Sequence, residues 1–294
     1  MKILVAGSSG LIGKALVSSL VAQGHQVVRL VRRQGEPNAI HWNPAEGVLN
    51  PADIEGFDAA INLAGENVAE GRWTEQRKRG ILNSRVQATQ LLSTTLSRLQ
   101  NKPKVLINAS AIGFYGDCGA KIVDEMSPVG QGFLADVCQK WEAAAEPAVQ
   151  AGIRVVFTRF GVVLSKEGGA LATMLTPFKW GLGGKIGSGH QFMSWVAIED
   201  VVGAIHFVLT HEGLQGPVNV NAPNPVTNEE FTKLLGKALH RPTFFSLPAF
   251  AAKLAFGQMA DEMLLASARV EPRRLLESGY VFMYPHLAGI FKNL

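Results

Sequence analysis

The chain has 294 residues, of which 47% are hydrophobic and 18% are charged, so it has the apolar surface for a packed core and is not a disordered protein. Its 28 Lys and Arg residues exceed its 24 Asp and Glu residues by only four, and they form no basic stripe of the kind that favours nucleic acid. The two cysteines, Cys118 and Cys138, exclude a disulfide framework, and no CxxC spacing suggests a zinc site.

The N-terminal segment carries a short apolar run, but Gly, Ser and Lys follow it too soon for a signal peptide. No stretch of the chain reaches the roughly 18 apolar residues that a membrane-spanning helix needs. We therefore expect a soluble, cytoplasmic protein that has no membrane partner.

Short, β-branched and almost uncharged runs alternate with longer helical patterns over the first 160 residues. The short runs predict strands that are covered on both faces, as in a parallel sheet. They are Ile3–Ala6, Val27–Val31, Ala59–Leu63, Val105–Ala109 and Val155–Thr158. The patterns between them predict helices over Leu11–Gln23, Thr74–Leu99 and Phe133–Val149. This alternation predicts an α/β fold with a doubly wound parallel sheet.

After about residue 165 the alternation breaks into a region rich in glycine and proline. An apolar helix is predicted to begin there at Asn228 as its N-cap, with Glu229 and Glu230 in the first turn. Asp200 is predicted to cap another helix. We therefore predict a core over residues 1–165 and a smaller C-terminal α/β lobe over residues 166–294, from which some segments return to the core sheet.

A glycine-rich turn joins the first predicted strand to the first predicted helix. It reads Gly7-Ser8-Ser9-Gly10-Leu11-Ile12-Gly13. Gly7 permits a tight turn, Gly10 lets the backbone approach a pyrophosphate, and Gly13 lets the helix pack closely on the strand. Free N–H groups at the helix start also attract an anion. The turn therefore predicts that the core binds a dinucleotide through residues 7–13.

Two other sequence motifs fit less well. A phosphate loop of the NTPase type requires glycine where Ser8 stands and Ser or Thr where Ala15 stands. The chain also has no G-x-S-x-G elbow, so a hydrolase triad is unsupported.

The second predicted strand is followed by Arg32-Arg33, and no acidic residue occurs before Glu36. A cofactor with a free ribose 2′-hydroxyl usually meets Asp or Glu at this place, whereas a 2′-phosphate suits Arg. We therefore predict NADP rather than NAD as the cofactor. The alternative is that the two arginines are only a solvated strand end.

The chain contains three further motifs, Asn62-Leu63-Ala64-Gly65, Ala109-Ser110-Ala111 and Phe114-Tyr115-Gly116. These motifs resemble those of the extended short-chain dehydrogenases/reductases. The chain also contains Glu66-Asn67, Arg72-Trp73-Thr74, Lys140-Trp141-Glu142, Gly181-Leu182-Gly183-Gly184 and the run from Ile186 to Gln191. With these it more closely resembles an atypical branch, the epimerase family proteins, also described as nucleoside-diphosphate-sugar epimerases. This resemblance implies a Rossmann-type fold and an oxidoreductase or epimerase.

The catalytic pattern of that family is incomplete in this chain. Relatives use a Ser, a Tyr and a Lys four residues after the Tyr, and the Lys helps to lower the pKa of the Tyr. The corresponding positions fall near Leu134 and at Cys138, which cannot do this work. The resemblance therefore leaves Ser110 as the hydrogen-bonding residue and Tyr115 as a candidate proton donor from another direction.

The resemblance also implies further contacts with both ligands. The expected cofactor contacts, besides the glycine-rich turn and the two arginines, are Leu63, Ala64, Gly65, Arg85 and Val163. The expected substrate contacts are Glu66, Asn67, Lys185, His190 and Gln191, the last three in a glycine-rich stretch that suits a closing loop. Plainer alternatives are that Glu66 caps the segment that follows it, that Arg85 forms a surface ion pair and that the stretch is an irregular surface loop. No histidine spacing indicates a metal.

Two hypotheses for function remain open. The first is an NADP-dependent oxidoreductase or epimerase-like enzyme that acts on a small polar, nucleotide-sugar-like substrate with non-standard catalytic residues. The second is a catalytically inactive NADPH-binding sensor or scaffold that acts through a protein partner. A small-molecule substrate and a homodimer are the expected partners, and nucleic acid is not.

Overall fold

The computed structural model describes residues 1–292 and residue 294. Its strands are β1 (Lys2–Ala6), β2 (Gln26–Val31), β3 (Ala39–His41), β4 (Ala59–Asn62), β5 (Val105–Ala111), β6 (Ile122–Val123), β7 (Arg154–Phe160), β8 (Val162–Leu164), β9 (Gly184–Ile186), β10 (Phe192–Met193), β11 (Trp195–Ala197), β12 (Gly216–Val220), β13 (Val226–Thr227), β14 (Phe245–Leu247) and β15 (Arg269–Val270). Its α-helices are α1 (Leu11–Ala22), α2 (Glu75–Ser97), α3 (Phe133–Ala143), α4 (Glu146–Gln150), α5 (Gly169–Lys179), α6 (Ile198–Thr210), α7 (Asn228–Ala238), α8 (Ala249–Phe256), α9 (Arg273–Glu277) and α10 (Leu287–Phe291). Shorter helical turns cover Pro51–Ile54, Ile112–Tyr115 and Ala260–Leu265.

In the described part of the chain, seven parallel strands form the main sheet in the order β12-β7-β5-β4-β1-β2-β3. The predicted doubly wound parallel sheet is therefore confirmed, and the five predicted strands are its β1, β2, β4, β5 and β7. The chain runs outward from β1 to β3 and then returns to β4, on the other side of β1. Ligands of such sheets bind beyond the carboxyl ends of the strands at this switch point.

Helices cover both faces of the sheet, which is why its strands are nearly uncharged. Side chains alternate along β1, so that Ile3 and Val5 pack towards α1 and α6. Leu4 and Ala6 point to the opposite face, where they pack with residues of α2 and α4. All four residues of β1 that follow Lys2 are thus buried, and the strand has no polar face.

Residues on both sides of position 165 build the main sheet, because β12 pairs with β7 and α6 packs on α1. The remaining segments form a smaller lobe of two-stranded pairs, among them β9 with β14 and β10 with β13. Its apolar core surrounds Trp195, Phe231 and Leu235. No helix in the residues described is long and apolar enough to span a membrane.

The predicted helix over Phe133–Val149 is wrong in one respect, since it is two helices. The first, α3, ends at Ala143, and α4 begins at Glu146 with Pro147 in its first turn. Proline has no N–H to continue a helix and is tolerated in a first turn, so it favours a new start.

Two predicted helix caps are also corrected. The N-cap of α7 is Thr227, not Asn228, because Thr227 and Glu230 form a reciprocal capping box. The Asn228 side chain instead accepts a hydrogen bond of 2.7 Å from the Ile186 N–H. Asp200 is not a cap either, because it lies buried within the first turn of α6.

The Asp200 carboxylate accepts hydrogen bonds from the backbone N–H groups of Met283 and Tyr284, at 2.7 and 2.9 Å. The Tyr280 hydroxyl lies 3.3 Å from the same carboxylate. Burial raises the pKa of Asp200, against the lowering effect of these bonds. Asp200 therefore ties the C-terminal segment to α6.

Candidate active site

Two glycines of the turn after β1 are required by the packing of the backbone. Gly7 has a φ of 76°, and a Cβ there would lie 2.5 Å from the carbonyl group of Leu63, just beyond β4. A Cβ at Gly13 would lie 2.2 Å from the Gly7 oxygen. Both distances are far below van der Waals contact, so no larger residue fits without moving the backbone.

Gly10 differs, because no atom of the described residues crowds it. Its φ is −73°, and a Cβ would meet only the Gly7 oxygen, at an ordinary 3.5 Å. Gly10 is the N-cap of α1, and within the described residues no side chain caps this helix and no acidic residue lies in its first turn. Open space above bare N–H groups is what a phosphate group needs at a helix start.

A second turn, which follows β4, lies beside the first and is held by a buried polar cluster. The Asn62 amide donates to Thr89 Oγ1 at 2.9 Å and to Asn108 Oδ1 at 2.7 Å. Its own oxygen accepts from the Ala64 N–H at 3.2 Å. The shape of the Leu63-Ala64-Gly65 turn is therefore set from inside the protein, which leaves its outer surface available to a ligand.

Arg85 packs directly under this second turn. A Cβ at Gly65 would lie 3.2 Å from the Arg85 side chain, whose Nη1 donates to the Ile81 oxygen at 3.0 Å. The guanidinium group lies 5.0 Å from the centre of the Trp141 ring, and burial lowers the pKa of Arg85. No ion pair involving Arg85 occurs among the described residues, so the alternative of a surface ion pair is wrong.

Other predicted cofactor contacts lie around the same turns. Leu11 faces the Gly168-Gly169 turn, where a Cβ at Gly169 would lie 3.2 Å from Leu11 and 3.7 Å from the Val163 oxygen. Arg32 and Arg33 are exposed just after β2, next to the strand that carries the glycine-rich turn. Neither arginine forms an ion pair with any residue that the structure describes, so both charges are available to an anion.

Ser110 lies near the carboxyl end of β5 and is only 2% exposed. Its hydroxyl donates to Glu142 Oε1 over 2.6 Å. Glu142 also accepts two hydrogen bonds of 2.8 Å from Arg159, which stands opposite Ser110 on β7. Burial works to lower the pKa of Arg159, but its bonds to Glu142 and the carboxylate charge raise it.

Tyr115 is buried, with 3% of its surface exposed. Its hydroxyl donates to Asn219 Oδ1 at 2.7 Å and accepts from Arg159 Nη1 at 3.0 Å. Burial raises the pKa of Tyr115 to about 12, against the lowering effect of Arg159. The phenol thus has no free proton for a substrate, and a structural role as a partner of Arg159 replaces the expectation of a proton donor.

The positions expected for Tyr and Lys lie on α3, which packs against β5 and the turn after it. The Cys138 thiol is buried, 3.6 Å from the Ala111 oxygen, and burial raises its pKa to about 12. Glu142 stands one helical turn beyond Cys138 on the same face of α3. Neither Glu142 nor Arg159 was among the predicted site residues, although Arg159, a charged residue at the end of the apolar β7 run, was a usable signal.

Two of the predicted substrate contacts, Glu66 and Asn67, form contacts that stabilise the segment before α2. Glu66 forms a 2.6 Å ion pair with Arg77, which also donates to the backbone oxygen of Asn67. The Asn67 side chain accepts from the Ala69 N–H at 3.0 Å. Both residues are exposed, so these contacts leave surface for a ligand.

The other three predicted substrate contacts lie in the loop around β9. Gln191 holds this loop, because its amide donates to the oxygens of Ile186 and Leu264 at 2.9 and 3.0 Å. Lys185 and His190 lie on the same loop, and His190 is exposed. The pKa of Glu229 is lowered mainly by its hydrogen bond to Lys233, and the charge of Lys185 lowers it further.

The segment 257–265 connects this lobe to the starts of α2 and α3. Gln258 accepts from Lys78 at 3.3 Å. The Glu262 carboxylate accepts from the N–H groups of Phe133 and Leu134, at 3.0 and 2.8 Å, and so caps α3. No group of three His, Cys, Asp or Glu residues in the described chain is placed to hold a metal ion.

A doubly wound sheet with a glycine-rich turn at its switch point defines an α/β protein of the dinucleotide-binding class. Residues 3–221 match the model of the NAD dependent epimerase/dehydratase family. Residues 247–294 match a domain of unknown function, DUF1731. The chain therefore belongs to the NAD dependent epimerase/dehydratase family, as the resemblance predicted.

Relatives match over almost the whole chain. Epimerase family protein Mb2239 of Mycobacterium bovis is 45% identical over 281 residues, which cover 95% of this chain and 93% of that protein. The crystal structure of human epimerase family protein SDR39U1 (isoform 2) with NADPH is similar with a TM-score of 0.91 and 38% identity, over 100% of this chain and 98% of that one.

A UDP-glucose 4-epimerase of Thermus thermophilus, in complex with NAD, has a TM-score of 0.77 at 18% identity and covers 99% of this chain and 97% of that one. This similarity shows the fold alone.

Proposed function

We propose that the protein is an NADP-dependent oxidoreductase of the epimerase type, acting on a small polar, nucleotide-sugar-like substrate. Gly10 supports the proposal most directly, because no neighbouring atom in the described residues requires a glycine there and because it stands at an uncapped helix start. The crystal structure of human SDR39U1 with NADPH supports the same cofactor here.

In this proposal residues 7–13 bind the pyrophosphate, and the unpaired charges of Arg32 and Arg33 bind the 2′-phosphate. The Leu63–Gly65 turn, with Arg85 beneath it, and Val163 border the other half of the dinucleotide. When bound, the dinucleotide supplies or accepts a hydride. Ser110 binds the reacting oxygen of the substrate, and Lys185 and His190 contact its polar groups.

Calorimetric titration with NADPH and NADH tests the cofactor half of the proposal. We expect NADPH to bind more tightly than NADH, and Gly10→Asp to weaken NADPH by about 100-fold, because a carboxylate would then face the pyrophosphate. Ser18→Asp is the control, since it adds the same charge to an exposed position of α1. Equal affinities for the two cofactors, or a Gly10→Asp variant that binds normally, would contradict the proposal.

A second candidate, a cofactor-binding sensor without catalysis, is favoured by one observation: Leu134 and Cys138 replace the Tyr and Lys, and the Tyr115 phenol is engaged. The two functions differ in turnover. NADPH oxidation with diacetyl or 4-nitrobenzaldehyde, and NADP reduction with UDP-glucose, should be measurable for an enzyme and absent for a sensor that still binds NADPH tightly.

A further inference from the structure

A buried ion pair stands directly behind Ser110. The side chains of Arg159 and Glu142 are only 4% and 12% exposed, although they lie in a region of apolar strands and helices. Removing two charges from water is costly, and an apolar pair of the same size would often serve stability equally well. Stability alone therefore does not account for this pair.

The hydrogen bonds of this pair determine what Ser110 offers to a ligand. Arg159 fixes the Glu142 carboxylate with two bonds, and Oε1 also accepts the Ser110 proton over 2.6 Å. A hydroxyl has one proton and two lone pairs. Because its proton is directed at Glu142, Ser110 presents a lone pair, and not a donor, to any ligand on its other side.

We propose that Glu142 is the proton acceptor and donor of this site and acts through Ser110 Oγ. The inference rests on the proposed oxidoreductase function and deepens it. During oxidation, the O–H bond of a substrate alcohol breaks as its proton moves to Ser110 Oγ. The Ser110 proton moves to Glu142 Oε1 at the same time. The carbon loses its hydrogen, with the electron pair, to the oxidised dinucleotide. Reduction of a carbonyl reverses each transfer.

The ionisable neighbours of Glu142 support this assignment. In the part of the chain that the structure describes, Arg159 and Cys138 face it, Tyr115 lies beyond Arg159, and the charge of Arg85 acts on Cys138. Burial raises the pKa of both Cys138 and Tyr115 to about 12, so neither exchanges protons near neutral pH. Arg159 stays charged. Among these groups, the Glu142 carboxylate is the one that is hydrogen-bonded to Ser110 Oγ, at 2.6 Å, and its 12% exposed side chain gives it a route to solvent.

The kinetic test compares Glu142→Gln and Ser110→Ala with Ser110→Thr, which keeps the hydroxyl. With diacetyl and NADPH, we expect each of the first two variants to lower kcat by about 100-fold with little change in NADPH affinity. The double variant should be no slower than either single one, because the two groups act as a unit. Ser110→Thr should keep most of kcat, and Asp136→Asn, which removes an exposed carboxylate from α3, should change nothing.

Two further readouts separate proton transfer from a structural role. The wild-type kcat for reduction should fall with rising pH, because Glu142 must carry the proton that it delivers, and Glu142→Gln should lack this limb. In the protein without cofactor, infrared spectra of isotope-labelled glutamate should show a carboxylate band that shifts in Ser110→Ala and disappears in Glu142→Gln.

The outcomes distinguish this inference from the proposed function. If the wild type turns over diacetyl and Glu142→Gln keeps its kcat and pH profile, the relay is wrong and the oxidoreductase stands. A carboxylate band that does not respond to Ser110→Ala also overturns the relay. If the wild type turns over none of diacetyl, 4-nitrobenzaldehyde and UDP-glucose, the oxidoreductase function is wrong and the relay falls with it.

Discussion

The turn after β1 and the carboxyl ends of β5 and β7 both belong to the candidate site, yet different interactions determine their structures. At the turn, the backbone approaches itself so closely that Gly7 and Gly13 admit no side chain. At the strand ends, the space is filled by side chains, and Ser110, Glu142 and Arg159 are joined by hydrogen bonds. Steric exclusion shapes the first region, and charge pairing shapes the second.

The two regions therefore tolerate sequence change to different degrees. A turn that binds through backbone N–H groups depends on having no Cβ, so its glycines have few alternatives. A proton-transfer site needs only an acid–base group at the right distance, and that group can come from another position. Here the pair of Leu134 and Cys138 is apolar or inert, while Glu142 supplies the charge one helical turn further along.

The largest effect is expected from breaking the charged region. Arg159→Met should lower the free energy of unfolding by about 3–5 kcal/mol, because it leaves the Glu142 carboxylate buried without its partner. Adding Glu142→Leu should restore much of this loss, since the unpaired charge is then gone. Chemical denaturation of the single and double variants measures both effects. A single variant as stable as the wild type would show that the pair is not held away from water.

A smaller effect is expected at the turn, and it separates two glycines of the same motif. Gly13→Ala should destabilise the protein by about 3 kcal/mol, because its Cβ would lie 2.2 Å from the Gly7 oxygen. Gly10→Ala should cost at most about 1 kcal/mol, the usual price of alanine at an N-cap. Thermal unfolding of both variants checks this order, and the reverse order would contradict the distinction drawn between them.

The next effect concerns binding only. Replacing Arg32 and Arg33 together by Ala should weaken NADPH by about ten-fold, or about 1.4 kcal/mol, and leave NADH unchanged. Stability should not change, because both side chains are exposed. Calorimetry with the two cofactors makes the measurement. An equal loss for NADH would mean that the arginines do not recognise the 2′-phosphate.

The smallest effect serves as a reference outside both regions. Thr227→Ala removes the capping box of α7 and should lower stability by about 1 kcal/mol. NADPH affinity and turnover should stay as in the wild type. A loss of either would extend the site into the lobe that contains α7.

Much of the fold could be predicted from local sequence patterns, because a strand covered on both faces is apolar along its whole length. The strands β3 and β12 escaped prediction for physical reasons. β3 has three residues, too few for a pattern, and β12 begins with Gly216-Pro217, which is typical of a turn. The split between α3 and α4 depends on one proline in an otherwise helical run.

Only part of the candidate site could be predicted from the sequence. The glycine-rich turn is contiguous in the chain, and its spacing alone indicates a bound anion. The partners of Ser110 are 32 and 49 positions away in the sequence, on α3 and β7, and only the fold brings them together. The role of Tyr115 likewise depends on a distant residue, because its hydroxyl donates to Asn219, which is 104 residues further on in the sequence.

The cap that Glu262 provides makes the start of α3 depend on a distant segment of the chain. The first N–H groups of α3 find their acceptor 129 residues later in the chain. The helix α3, which carries Glu142, is therefore capped only after the segment around Glu262 has been synthesised and has docked. Folding of the two matched family segments should consequently be cooperative, and a nascent chain that lacks the second segment should expose a frayed helix to proteolysis.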